Sequence, residues 1–199
     1  MKLLLILSLL FFTTLFPVNA ETSLYERGKD LIEEKDYEKA LKAFELAAKT
    51  GDLDAMHAVG IMYIGGWGIE QNDEKGFEYI IKAANQSHSK AQYTLGAMYY
   101  LGIGAPVDFD KAFTWISLSA NQGHLDAKHN LAEMYENGKG VSKNLEKAYE
   151  YYLSAARKGN VDSQKKVAVM YKEGIGKKKN IEKSEYWLNQ IKESKANSQ

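Results

Sequence analysis

AQYTLGAMYYLGIGAPVDFDKAFTWISLSANQGHLD, residues 91–126, is one unit of a pattern that fills most of the chain. Its Met98-Tyr99 pair returns as Met62-Tyr63, Met134-Tyr135 and Met170-Tyr171, each copy 36 residues from the next. Gly102 and Gly104 return as Gly66 and Gly68, Gly138 and Gly140, and Gly174 and Gly176, and Lys111 as Lys75, Lys147 and Lys183. No insertion separates the copies. Self-similarity at this spacing marks an array of supersecondary units, each covering the apolar face of the next.

Within the unit, Ala91, Leu95, Met98 and Tyr99 fall at helical spacing and form one apolar stripe. The Leu101-Gly102-Ile103-Gly104 stretch ends that helix, because glycine accepts the left-handed backbone of a helix stop. Asp108 is placed to cap a second helix, as are Asn72, Asn144 and Asn180 one period apart. That helix puts Ala112, Trp115, Ile116, Ser119 and Ala120 on its buried face, and Gly123 and Gly159 stop it in two units. Alanines at 55, 91, 127, 83–84 and 155–156 let helices approach closely, with Tyr79, Trp115, Tyr151 and Trp187 expected as core fillers between them. The fold class that follows is all-α, a right-handed α-solenoid of helix–turn–helix repeats with a 36-residue period.

The pattern Ala-x-x-x-Leu-Gly-x-Met-Tyr-x-x-Gly-x-Gly, followed by Lys-Ala, an aromatic and Ala-Ala, resembles the Sel1-like repeat family. Residues 21–54 lack the Gly-x-Gly loop. There Gly28, Ala40, Phe44 and Ala47 are similar to a tetratricopeptide hairpin. The units are then 55–90, 91–126, 127–162 and 163–199. Ala132 and Ala168 stand where Gly60 and Gly96 do, which predicts slightly wider packing. The last unit is degenerate, and Glu182, Lys183, Glu185, Lys192 and Glu193 give it the polar surface expected of a cap.

Residues 1–20 stand outside the array. Lys2, the apolar run from Leu3 to Phe16, Pro17 and the small Val18-Asn19-Ala20 read as a secretory signal cut between Ala20 and Glu21. An uncleaved anchor is the alternative, though the run is short for a bilayer span. The expected location is the bacterial periplasm, or otherwise the extracellular space or a secretory pathway, since Asn85-Gln86-Ser87 is a glycosylation sequon. There is no cysteine, so neither a disulfide nor a thiolate metal site is possible. Net charge is zero, which offers no overall attraction to nucleic acid or to an anionic membrane. No second apolar run is long enough to span a membrane after cleavage.

No catalytic constellation emerges. A phosphate cradle follows a strand, whereas each Gly-x-Gly here lies between helices. His57, His88, His124 and His129 form no i, i+4 pair, so no metal or cofactor is expected. Secreted relatives linked to cell-wall-like hydrolysis carry cysteine pairs that this chain lacks. The expected function is therefore a non-enzymatic interaction module that holds a protein or peptide and scaffolds or regulates an envelope protein. The alternative is an immunity or inhibitor protein against a delivered toxin or hydrolase, with an envelope hydrolase behind both.

Positions that repeat are structural, and positions that vary are available for recognition. By resemblance to tetratricopeptide geometry, four positions of each first helix face a concave groove. They read His57, Tyr93, His129, Lys165; Ile61, Ala97, Glu133, Val169; Ile64, Tyr100, Glu136, Lys172; and Gly65, Leu101, Asn137, Glu173. The groove candidates are His57, Ile61, Ile64, Tyr93, Tyr100, Leu101, His129, Glu133 and Glu136: apolar and aromatic first, charged later. Exposed tyrosine supplies large contact area at low entropy cost. Trp67 is a second candidate, and Lys177-Lys178-Lys179 reads as a solvated turn.

Overall fold

The structure is a computed structural model, and its described residues are 23–196. The segment read as a secretory signal and its expected cleavage point lie outside them. Among the described residues ten helices follow one another: α1 (Leu24–Glu33), α2 (Tyr37–Lys49), α3 (Leu53–Gly65), α4 (Asp73–Asn85), α5 (Ser89–Leu101), α6 (Phe109–Asn121), α7 (Leu125–Asn137), α8 (Leu145–Ala156), α9 (Val161–Glu173) and α10 (Ile181–Ala196). Each packs on the helix before and after it, so the chain is an α-solenoid of five hairpins.

The repeated residues have three distinct tasks. The first is to end one helix and aim the next. Gly66, Gly102, Gly138 and Gly174 cap α3, α5, α7 and α9 in the left-handed conformation. The carbonyl of Met98 accepts the N–H groups of Gly102 and Ile103, at 2.8 and 3.0 Å, and that of Tyr99 accepts the Asp108 N–H at 2.9 Å. The Asp108 side chain then accepts the Lys111 N–H at 2.9 Å and starts α6. Asn72, Asn144 and Asn180 do the same at 2.8 Å. The loop is a hydrogen-bonded link between two caps, which satisfies backbone groups that both helix ends would leave bare.

The second task is to join units. A Cβ on Gly104 would strike the backbone of Asp73, and one on Gly140 or Gly176 the backbone of Phe109 or Leu145. The second glycine of each loop thus docks on the first turn of the preceding unit's second helix. Backbone cannot yield as a side chain can, so glycine is required there. The third task is to close the core. Ala55, Ala91, Ala127, Ala83, Ala112, Ala148 and Ala155 are fully buried. Ile80 lies 2.6 Å from where a Gly60 Cβ would be, and Ile116 is as close at Gly96. The repeated lysines are held over tyrosine rings, Lys75 on Tyr63, Lys111 on Tyr99, Lys147 on Tyr135 and Lys183 on Tyr171, at 5.1 to 5.5 Å.

Some expectations shift by a residue or two. The first helices begin at Leu53, Ser89, Leu125 and Val161, ahead of the alanines assigned to their starts. Their caps are Asp52, His88, His124 and Asn160. The centre of the second helix's buried face is Ile80, Ile116 and Tyr152, while Tyr79, Trp115 and Tyr151 are half-buried beside it. Tyr79 and Tyr151 stack on Tyr63 and Tyr135 at 5.9 and 5.8 Å. The last unit is less polar than a full cap, because Ile181, Tyr186 and Leu188 are exposed. Leu188 holds the place of Ile116 and Tyr152, and among the described residues no further helix covers it.

Candidate functional site

The first helices of successive units lie side by side, because their facing side chains bond across units. His57 Nε2 meets Thr94 Oγ1 at 2.9 Å, Asn130 Nδ2 donates to Tyr93 Oη at 3.2 Å, and His129 Nδ1 meets Ser163 Oγ at 2.9 Å. This face carries two adjoining cavities. The first, about 270 Å³, lies between α5 and α7 and is lined by Tyr93, Ala97, Tyr100, Leu101, Asn130 and Glu133. The second, about 510 Å³, lies between α7 and α9 and is lined by His129, Glu133, Glu136, Asp162, Lys165 and Lys166, among others. Glu133 belongs to both.

The first cavity is apolar with fixed walls. Tyr93 stacks on the His124 ring at 4.8 Å. Burial pushes its phenol up, so it stays a neutral donor and acceptor. Tyr100 packs edge-on against Phe109 at 5.1 Å, and Lys139 Nζ reaches its hydroxyl at 2.6 Å while lying over the ring. The second cavity is ionic. Burial pushes the Glu136 carboxyl up, but Lys166 Nζ at 2.8 Å and the Tyr152 hydroxyl at 2.7 Å together hold it below the usual carboxylate range. Glu133 is also held low, first by His129, whose Nε2 is 3.7 Å away. It has no lysine or arginine partner among the described ion pairs.

Of the groove residues expected from the sequence, Tyr93, Tyr100, Leu101, His129, Glu133 and Glu136 line these cavities. His57, Ile61 and Ile64 lie outside both. His57 is mostly buried against Thr94 and the His88 ring, and burial drives its imidazole down to about 4. Ile64 turns toward α4, where Gly76 leaves room for it. Trp67 is half-exposed beside Tyr37, and Lys177 lies over Tyr149. Asn130 and Lys166 were missed by the sequence reading. They vary along the array (Ala58, Thr94, Asn130, Lys166), which was the available signal. His88 and His124 accept the Ala91 and Ala127 N–H groups through Nδ1, so each acts as a helix cap.

The profile of the Sel1 repeat matches residues 20–52, 53–88, 89–124, 125–160 and 161–193. The chain belongs to the Sel1 repeat family. The hairpin before the first Gly-x-Gly loop is included, although its turn is shorter. Among solved structures, a Sel1 repeat protein from Oxalobacter formigenes is 27% identical, with a TM-score of 0.82 over 86% of this chain and 71% of its own. A protective antigen of uropathogenic Escherichia coli is also 27% identical, with a TM-score of 0.81 over 86% of this chain. This Sel1 repeat chain spans 38% of that antigen's length. An immunity protein of Pseudomonas aeruginosa, 19% identical, shares the fold with a TM-score of 0.55 over 81% of this chain and 63% of its own. No curated protein matches the sequence. Among the described residues, no helix is long and apolar enough to cross a membrane.

Proposed function

We propose that this Sel1 repeat protein works by holding an extended segment of a partner protein along the α5–α7–α9 face, without catalysing a reaction. One observation carries the reading. Tyr93, Tyr100, Leu101 and Glu133, none of them needed by the repeat, line one cavity that opens beside an ionic one. Such a face suits a large apolar side chain in the first cavity. A cationic side chain would sit next to it, answering the Glu133 carboxylate. Desolvated aromatic anchors beside charged groups are the usual make-up of a binding hot spot. The signal-like residues 1–20 support action in the periplasm or another exported setting, on an envelope partner. The fold shared with a Pseudomonas immunity protein is compatible with a narrower role, the blocking of a delivered toxin or hydrolase.

The test is crosslinked capture of tagged protein from its producing cells, with partners identified by mass. Tyr93→Ala/Tyr100→Ala and Ala97→Glu variants are run beside it, each checked for unchanged helical circular dichroism. One partner held by the native protein and lost by both variants is the expected outcome. A partner that both variants retain at native level moves the site off this face.

A further inference from the structure

The neutral total conceals a segregation of charge. Residues 21–126 carry a net −7 and residues 127–199 a net +6. Repeat geometry lays much of this difference along one edge. Each Gly-x-Gly loop sits on the first turn of the preceding unit's second helix, so the five turns follow one another in order. Residues 33–39 hold Glu33, Glu34, Asp36 and Glu38 against Lys35 and Lys39, a net of −2. Residues 66–75 hold Glu70, Asp73 and Glu74 against Lys75, again −2. Residues 102–111 come to −1, residues 138–147 to +2, and residues 174–183 to +3.

Among the described residues the lysines of the last two turns form no ion pair, whereas in the first turn Glu34, Asp36 and Glu38 are paired with Arg27, Lys39 and Lys42 and Glu33 is left over. Among the described ion pairs none involves Lys139, Lys143, Lys147, Lys183 or the Lys177–Lys179 run. Tyrosine rings hold several of them instead. The middle turn is different. It is nearly uncharged and exposes apolar side chains: Val107 is 54% and Phe109 37% exposed, with Pro106 between the loop and the cap also open.

Such an edge is complementary to itself when reversed. A second copy laid antiparallel puts the first turn against the fifth and the second against the fourth. The third turn then meets its own copy. We propose that this turn edge is an isologous interface with a second copy of the chain, with Val107 and Phe109 at the two-fold axis and opposite charges on either side. Isologous contacts require this self-complementarity, and a charge gradient that passes through an apolar centre supplies it. Trp67, 47% exposed in the second turn, would face the lysines of the fourth, a pairing that aromatic faces favour. Phe109 and Lys139 of this edge touch Tyr100 of the first cavity, so the two surfaces adjoin, but the interface does not rest on the role given to the cavities.

Light scattering and sedimentation equilibrium on the purified protein, from micromolar to near-millimolar concentration, test this. The expected result is a dimer at low salt, with the apparent dissociation constant rising about tenfold or more as salt increases from about 0.05 to 0.5 M. Two charge-reversed proteins decide the geometry. Lys177→Glu/Lys178→Glu/Lys179→Glu makes both ends of the edge acidic, and Glu33→Lys/Glu34→Lys makes both ends basic. Each alone should be monomeric with unchanged helical circular dichroism. Mixed in equal amounts, they should form a heterodimer, because each restores what the other lost. A native protein that stays monomeric throughout overturns the proposal. So does a dimer indifferent to salt and charge reversal, or a pair of variants that fails to associate when mixed.

Discussion

The hairpins α5/α6 and α7/α8 are one unit built twice, yet they present opposite chemistry to the α5–α7–α9 face. In the first, the central buried residue of the second helix is Ile116, resting over Gly96. The face beside it carries Tyr100 and an apolar cavity. In the second, the same buried place is held by Tyr152, which is fully inaccessible to solvent. Its hydroxyl passes through the core and donates to Glu136, the residue one period after Tyr100. Lys166 then closes on the same carboxylate. Ile116 and Tyr100 in one unit thus correspond to Tyr152 and Glu136 in the next. The difference teaches that the face is not a free coat of side chains on a constant scaffold. Its charge is fixed from beneath, by what fills the joint.

The sharpest way to break the comparison is at position 96 and its counterpart 132. A Cβ at Gly96 would lie 2.5 Å from Ile116 Cγ1 and 3.0 Å from the Ile116 backbone nitrogen. A side chain could move, but the backbone cannot, so Gly96→Leu should destabilise the protein by upwards of about 3 kcal/mol. Ala132 already carries a Cβ in its fully buried place, and Ala132→Gly should cost only about 1 kcal/mol, chiefly as helix propensity. Urea unfolding of both variants checks the contrast. Equal losses would mean that the two joints are equally loose.

Acid offers a second contrast, between His57 and the rest of the molecule's charge. His57 is mostly buried, with His88 and Lys90 adding repulsion to a protonated ring and Asp54 opposing them. Its folded value of about 4 lies below the ordinary 6.5. As pH falls through 6.5, the unfolded chain takes up a proton that the folded chain refuses. The His57 contribution to stability therefore declines from pH 6.5 and levels off below about 4, with a loss on the order of 3 kcal/mol. His57→Gln should remove most of that slope between pH 6.5 and 5, where paired carboxylates are still ionised. A variant with the native slope in a urea-midpoint series would place the acid sensitivity at other groups.

The array itself was legible because its evidence is repetition, which survives a small error in register. The loop glycines, the Asp and Asn caps of the second helices and the buried alanines all read directly. The caps of the first helices did not. Two of them, His88 and His124, are histidines, a residue that capping preferences do not suggest, and the helix start was placed at the alanines that follow. Much of the face was legible, since variation marks it, and Tyr93, Tyr100 and Glu133 do come together. The rest depended on contacts between helices. Thr94 draws His57 inward, and the missing side chain at Gly76 draws Ile64 toward α4. Neither partner is recognisable without knowing which helices lie side by side. The Tyr152–Glu136 bond was hidden for the same reason, as its ends lie 16 residues apart on consecutive helices.

That bond gives the smallest of the three effects and the one closest to function. Tyr152→Phe keeps the ring in the core and removes only the hydroxyl. A hydrogen bond to an ionised group contributes about 1.5–3 kcal/mol, and Lys166 remains to satisfy part of the carboxylate, so the loss at neutral pH should be near 2 kcal/mol. The hydroxyl helps to hold Glu136 ionised, so the Glu136 pKa should rise in the variant. The stability difference between the native protein and the Tyr152→Phe variant should then shrink as pH falls below the ordinary carboxylate value near 4.5 and Glu136 takes up a proton in both. Ile116→Tyr is the mirror experiment. It places a phenol at the same depth beneath Tyr100, with no carboxylate to receive it, and should cost more than Tyr152→Phe because the new hydroxyl is buried without a partner. If both substitutions were neutral in urea unfolding, the core and the face would be independent after all, and the ionic cavity would owe its character to α7 and α9 alone.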